Sequence, residues 1–419
     1  MCSFNMEKDL NNLKENILNQ LTERLRDSQI DFSKFDESHL RRMVEAMFKS
    51  ILKENKKISL THHEQGEILS EIISYLFGLG PIEKLLKDPD VSEIMINGPK
   101  QVYIEKEGKL ELTDITFRDE EHVLYLIEKI LSPLGRRATE LEPYVDARLK
   151  DGSRVNIARS PVCSTGPILT IRKFSRRILN IDDLINLGTL DAFTAEFLKA
   201  CVTSRLNILI SGGASSGKTT LLNVLGSFIP EEERVITIED TLELKLSRKH
   251  TIPLETRLPN IEGKGEITVR DLLKNSLHMR ADRIIVGEVR SDEVLDMIQA
   301  MNIGHEGSMT TVHANLPLEA LERLEMLALM GSPNLSSEVA KRHIISALDL
   351  IIHMSRFPDG SRKIIQISEV VKSKEYSLQD ISIFDEGIGN LKPTGKKPTF
   401  YQKLKKKVNY VCKEFEEGS

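Results

Sequence analysis

One stretch, NILISGGASSGKTTLLNVLG, limits this chain more than any other: Gly212-x-x-x-x-Gly217-Lys218-Thr219 fits the phosphate-loop pattern and directly follows an apolar run from Asn207 to Ser211. A loop of this kind works between a strand and a helix. Its glycines let backbone N–H groups curl around a phosphate, and the helix beginning near Lys218 points its positive end at the same place. Lys218 then reaches β- and γ-phosphate oxygens, and the Thr219 hydroxyl suits Mg2+. The expected nucleotide-binding set is Gly212, Gly213, Ala214, Ser215, Ser216, Gly217, Lys218, Thr219 and Thr220.

A phosphate site that turns over also needs an acid for the metal and the attacking water. The segment DRIIVGEVR carries Ile284, Ile285 and Val286 to Glu288, which fits a Walker B strand and makes Glu288 a metal residue together with Thr219. A second apolar run, Val235 to Ile238 in RVITIEDTLEL, delivers Glu239 and Asp240 to a strand end, with Glu243 one turn on. Acids at the ends of adjacent parallel strands converge on one crevice. Spacing does not decide whether Glu239 or Glu288 is the general base. The chain has no NKxD guanine reader, no HRD and DFG pair and no GxSxG elbow, so the expected substrate is ATP with Mg2+ rather than GTP, a kinase substrate or an acyl group.

Around this core the texture changes along the chain. Residues 1–57 carry two amphipathic stripes, Leu10, Leu13, Ile17, Leu21, Leu25 and then Leu40, Met43, Val44, Met47, Ile51, at helical spacing. Thr61 and Glu64 form a capping box that starts a third helix, which the Gly78-Leu79-Gly80-Pro81 breaker ends. SEIMIN, VYIE, KLELTDITF, SRVNIARSP and PILTIRKF alternate apolar and polar residues as half-buried strands do, and DEEHVLYLIEKIL returns to helical period. The expected organisation is a helical extension at 1–57, an α+β domain at 58–178, and an α/β domain at 179–419. RRILNIDDLINLGTL reads as the connector. The last domain alternates strands and helices as a mostly parallel sheet requires, and ends in a helix bearing Lys403, Lys405, Lys406 and Lys407.

The 58 basic and 63 acidic residues leave a net charge of −5, and aromatic residues make up 5%. Both disfavour a nucleic-acid channel lined with cations and stacking rings. Cys2, Cys163, Cys201 and Cys412 lie far apart, with no CxxC pair to suggest zinc or a redox dithiol. No run approaches the roughly 18 apolar residues of a membrane span, and the amino terminus lacks a secretory signal core, so a cytoplasmic location is expected.

Taken together, GGASSGKTT, TIEDTLEL, RADRIIVGEVR, MIQAMNIGHEGSMTTVHAN and ERLEML resemble the type II/type IV secretion ATPases. FGLGPIEKLLKDPDVSEIMINGP, VDARLKDGSRVN, PILTIRKF and the tail segments SLQDISIF and PTGKKPTFYQKLK are similar to the branch that serves tight-adherence pili. The resemblance implies a RecA-like P-loop ATPase domain and a ring, expected to hold six copies. The ring would lie at the inner face of the cell membrane and push on an integral-membrane platform protein. It assigns catalysis to Lys218, Glu239 and Glu288, with Glu239 as general base supported by Asp240 and Glu243. It gives γ-phosphate sensing to His305 and His313, and it brings in Arg154 and Arg172 of the α+β domain as further γ-phosphate ligands. Two departures from the family's usual GGTGSGKTT are Ala214 and Ser215, and the missing glycine narrows the backbone angles open to the loop. The expected function is a motor for pilus assembly or type II-like secretion. The alternatives are a conjugation or effector-transport type IV secretion ATPase and, behind it, a nucleic-acid translocase with the same core.

Overall fold

Two compact units, Met1–Phe174 and Ser175–Ser419, make up the chain. The computed structural model describes residues 16–17, 20–21, 24, 37–54, 60–106, 108–149, 151–173, 179–259, 263–412 and 415. Leu10, Leu13 and Leu25 of the first amphipathic stripe lie outside them.

In the first unit, the second amphipathic stripe forms the helix Glu37–Glu54 and the capping box forms His62–Phe77. Thr61 accepts from the Glu64 amide while the Glu64 carboxylate accepts from the Thr61 amide, so two amides that a helix start leaves over are satisfied. Val44, Phe48 and Ile51 of the first helix bury against Ile68 and Ile72 of the second, together with Ile17 and Leu21. The helix that starts at Thr61 therefore shares its core with the chain before it.

Next comes an antiparallel sheet of β1 (Val91–Asn97), β2 (Val102–Lys106), β3 (Lys109–Leu112), β4 (Tyr144–Arg148), β5 (Arg154–Ala158) and β6 (Ile168–Arg172), in the order β3-β2-β1-β6-β5-β4. Ile94 and Ile96, Val102 and Ile104, Val155 and Ile157, and Leu169 and Ile171 alternate onto one face. There they meet Val123, Leu126, Ile127 and Ile130 of the helix Glu120–Leu131. KLELTDITF departs from its strand reading. Only Lys109–Leu112 pairs, every residue of it is exposed, and the chain then leaves the sheet to bury Phe117.

In the second unit, β7 (Ile208–Gly212), β8 (Val235–Glu239), β9 (Thr251–Glu255), β10 (Arg283–Val286), β11 (Met309–His313) and β12 (Leu350–Arg356) run parallel. β13 (Arg362–Val370), β14 (Leu378–Asp385) and β15 (Asn390–Pro393) continue antiparallel, in the order β15-β14-β13-β12-β7-β11-β10-β8-β9. β7, β8 and β10 are buried at every position, because helices cover both faces of the sheet. The helices Ala192–Thr203 and Lys218–Gly226 pack on one face; Val269–Ser276, Glu293–Asn302, Pro317–Gly331 and Ser337–Ala347 pack on the other. The segment read as a connector supplies Leu184 and Leu190 to this core. In the lysine-rich helix Tyr401–Val408, Tyr401 and Leu404 are buried and Lys403 Nζ donates to the Arg205 carbonyl at 3.1 Å. One of its four lysines is thus a tether, and Lys405, Lys406 and Lys407 face solvent.

Asn207, one residue before β7, ties the amino-terminal edge of the sheet together. Its side chain donates to the Ala347 carbonyl at 2.7 Å and accepts from the Gly307 amide at 2.8 Å, and its own amide donates to Asp349 at 2.9 Å. Beside it, Arg283 is wholly buried at the start of β10. Its Nε donates to Glu233 Oε2 at 2.6 Å, its Nη2 to Glu233 Oε1 at 3.1 Å, and its Nη1 to the Val202 carbonyl at 2.6 Å. Burial raises the Glu233 pKa, but the hydrogen bonds and charges of Arg283 and Arg205 outweigh it and hold the carboxylate below its usual range. Removing Arg283 leaves the buried carboxylate with Arg205 alone, at 3.3 Å, and strips the donor from the Val202 carbonyl. Arg283→Met should cost about 3–5 kcal/mol in urea denaturation, and adding Glu233→Leu should restore much of that loss.

Candidate nucleotide site

The carboxyl ends of β7, β8, β10 and β11 deliver four pieces of the sequence to one edge. β7 sits between β11 and β12, with Gly212 opposite His313 on one side and Met354 on the other. β10 runs in register with β8, Val286 opposite Ile238, so the chain leaving them carries Glu288 and Asp240 to the same edge. β7 and β8 follow one another in sequence but are three strands apart, which opens a crevice at the switch point.

The phosphate loop bridges β7 and the helix Lys218–Gly226. Gly212 has no room for a side chain: a Cβ would lie 2.5 Å from the Met354 carbonyl oxygen and 2.7 Å from Ser216 Oγ. Gly212, Ser215 and Gly217 take φ 156, 55 and 95, so three residues of the loop have positive φ and one of them is not glycine. Ser216 Oγ donates to the Gly213 carbonyl at 2.9 Å. Ala214 and Ser215 are exposed, while Thr219 and Thr220 are half-buried on the first turn of the helix.

A continuous chain of charged groups runs from the loop across the edge. Lys218 Nζ, buried, donates to the carbonyls of Gly212 at 3.0 Å and Gly213 at 2.7 Å, and lies 3.3 Å from His313 Nδ1. An ammonium offers only donors, so Nδ1 accepts and the ring proton sits on Nε2, which is 2.9 Å from Glu288 Oε1. Glu288 Oε2 accepts from Arg290 Nε at 2.9 Å, and Arg290 Nη1 reaches Asp240 Oδ2 at 3.4 Å. Burial works against the Arg290 charge, but the bond to Glu288 more than offsets it and the guanidinium pKa is raised.

Glu239 is placed differently. Its Oε1 accepts from the amides of Glu243 at 2.9 Å and Leu244 at 3.0 Å, so the carboxylate shapes the turn after β8. It packs against Gly287, where an added Cβ would lie 3.0 Å from Glu239 Cγ. Glu243 enters through its backbone amide.

His305 is not brought to this edge. It precedes β11, whereas His313 ends it, and the strand Met309–His313 alone spans about 13 Å. His305 Nδ1 donates to the Ala281 carbonyl at 2.9 Å at the opposite end of the sheet. The family resemblance grouped the two histidines, but the chain from one to the other runs along a strand rather than around a loop.

Within the first unit, Arg154 and Arg172 stand directly opposite each other on β5 and β6, and Arg148 faces Arg154 from β4. Cross-strand like charges disfavour a sheet, so this row concentrates positive charge at a cost in stability. Glu93 on β1 pairs with Arg172. Burial raises its pKa, and the Arg172 charge counteracts only part of that.

Two residues near the loop were absent from the sequence reading. Arg290 lies inside the quoted Walker B segment and could have been singled out as a cation two residues after an acid. Arg362, which donates to the Ser215 carbonyl at 3.0 Å, is 147 residues away and carries no motif.

A family model described as "Type II/IV secretion system protein" matches residues 76–379, nearly three-quarters of the chain. The chain belongs to this family. A second model, "Type II secretion system protein E, N-terminal domain", matches residues 10–76 of this secretion-system protein, a stretch that takes in most of the helical extension expected at 1–57 and the helix His62–Phe77. The conjugal transfer protein TrbB of Rhizobium radiobacter is 33% identical over 296 residues, 70% of this chain and 86% of that one. The type IV secretion system protein VirB11 of Bartonella henselae is 32% identical over 331 residues, 69% of this chain and 91% of that one. The solved pilus retraction motor PilT with bound ADP shares the fold, with a TM-score of 0.52 and 20% identity, covering 81% of this chain and 96% of that chain. TrbB and VirB11 carry the names of the conjugation and type IV secretion branch, the alternative reading of the sequence, and favour it over the tight-adherence branch. Among the described residues, no helix is long and apolar enough to cross a membrane.

Burial, the largest influence, and the neighbouring charges of Lys218, Arg290 and Arg323 hold the His313 pKa below its ordinary 6.5, against the pull of Glu288. The ring should therefore stay neutral down to acidic pH and keep Nδ1 available to Lys218. An NMR titration should place the His313 midpoint below 6.5, and Lys218→Ala should move it upward.

Proposed function

We propose that this protein is an ATPase motor that couples Mg-ATP hydrolysis to transport through a membrane-embedded machine of the conjugal-transfer and type IV secretion kind. The observation that carries the chemistry is the row Lys218–His313–Glu288–Arg290–Asp240 beside the phosphate loop, hydrogen-bonded at Lys218–His313 and Glu288–Arg290–Asp240 and joined at His313–Glu288 by a 2.9 Å contact. The names of the relatives support the coupling to transfer. The pilus-assembly reading has no comparable support.

The loop residues Gly212 to Thr220 fit a polyphosphate, because left-handed Ser215 and Gly217 turn amides toward one concavity at a helix start. Thr219 and Glu288 are the oxygen donors suited to Mg2+, which would polarise the phosphoryl oxygens and offset developing charge. Lys218 now donates to loop carbonyls and would exchange those contacts for phosphate oxygens, while His313 links it to Glu288 and so reports on phosphate occupancy. Glu288 is the better placed base. Glu239 accepts from two backbone amides of the turn after β8, whereas Glu288 faces the row of charged side chains beside the phosphate loop. Arg290 holds Glu288 and Asp240 apart from mutual repulsion. The paired Arg154 and Arg172 are a cationic feature suited to the γ-phosphate, and guanidinium forks contact two oxygens at once. We further propose a homo-oligomeric ring, expected to be a hexamer, that works at the membrane through an integral-membrane partner.

Glu288→Gln should keep ATP binding and lower kcat by at least about a hundredfold, whereas Lys218→Ala should lose binding, both measured by steady-state phosphate release and nucleotide titration. A membrane pull-down with the ATP-trapped Glu288→Gln protein, and Lys218→Ala as control, tests the coupling. ATP-dependent recovery of conjugation or type IV secretion components supports the proposal. Recovery of a pilus platform protein with its pilins would restore the pilus-assembly reading and overturn this one.

A further inference from the structure

We propose that Arg362 is a positioning residue for the phosphate loop: from the β12–β13 hairpin it holds Ser215 in the left-handed conformation that the nucleotide requires, and so sets nucleotide affinity without touching the nucleotide. This rests on the nucleotide-site reading above. A residue with a Cβ avoids φ near 55, yet Ser215 adopts it where glycine would do so without penalty. Left-handed Ser215 and Gly217 two residues apart are the backbone pattern that turns successive amides toward an anion.

Carbonyls of the loop are held one by one. Lys218 Nζ donates to Gly212 and Gly213, and Ser216 Oγ also donates to Gly213. These are the loop's own groups. The Ser215 carbonyl accepts from Arg362 Nε at 3.0 Å, a donor from a different part of the fold. The arginine stem also lies against the second left-handed residue: a Cβ on Gly217 would sit 3.3 Å from Arg362 Cδ. Without this hold, the peptide after Ser215 can relax toward a right-handed angle and swing the Ser216 amide out of the concavity.

The hairpin is built to place that one side chain. β12 lies beside β7 with Met354 opposite Gly212, and Arg356 pairs with Arg362 at the hairpin's end. The turn is closed by the Phe357 amide on the Ser361 carbonyl at 2.8 Å and the Gly360 amide on the Phe357 carbonyl at 2.9 Å. The Asp359 carboxylate accepts from the Ser361 amide at 2.8 Å, Gly360 supplies φ 87, and Lys363 stacks over Phe357 and Phe384. This hydrogen-bonded turn sets Arg362, an exposed side chain, within reach of the Ser215 carbonyl.

Magnesium-ADP affinity by calorimetry and steady-state ATPase kinetics on the full chain test this in two backgrounds. With Ser215 present, Arg362→Ala should weaken ADP and raise KM about fivefold, with kcat changed less than about twofold. Arg362→Lys, which keeps a stem and a donor, should fall between. In the Ser215→Gly background, Arg362→Ala should shift both quantities less than about twofold, because glycine holds the angle unaided. An equal loss in both backgrounds, or no loss with Ser215 present, overturns the proposal. Lys218→Ala that still binds ADP normally would instead overturn the nucleotide-site reading, so the two failures are told apart.

Discussion

The insertion of β7 between β11 and β12 is the constraint on which the rest depends. Parallel pairing in register on both sides puts Gly212 level with His313 and Met354. Everything chemical follows from that level: the loop starts there, His313 ends there, and the β12–β13 hairpin projects past it. Asn207 secures the other end of the same three strands by bonding to the backbone next to β11 and β12. A slip of one residue in β7 would turn its inward side chains to the opposite face and carry the loop away from His313.

The edge so formed holds opposite charges in a line rather than in a cluster. Lys218, neutral His313, Glu288, Arg290 and Asp240 alternate so that each acid has a cation beside it. Such a line stores no large repulsion, and in the function proposed here a polyphosphate at Lys218 would change the partner of the first member and, through it, of the next. That is a physical route by which occupancy of the loop can reach the ends of β8 and β10. The buried Arg283–Glu233 pair at the far edge has a different task, joining β10 to the chain before β8 and to the helix Ala192–Thr203.

Local signals were legible where their cause is local. The Thr61–Glu64 capping box, the alternation in β1, β2, β5 and β6, and the continuous apolar runs of β7, β8 and β10 depend on neighbouring residues, and each appears in the fold. KLELTDITF departs from a half-buried strand because only Lys109–Leu112 pairs, all exposed, and its second half turns away to bury Phe117, a decision made by the core and not by alternation. His305 failed as a partner of His313 because a strand, not a loop, lies between them.

The sequence by itself determined that a strand, a phosphate loop and a helix follow one another, that acids end two further strands, and that the chain resembles secretion ATPases. Each of these is a matter of short-range spacing. Only the tertiary structure decided the order of the strands, the line from Lys218 to Asp240, the commitment of Glu239 to its own turn, and the reach of Arg362 to Ser215. Those depend on side chains up to 147 residues apart meeting at a sheet edge, and that meeting is set by strand register and helix packing.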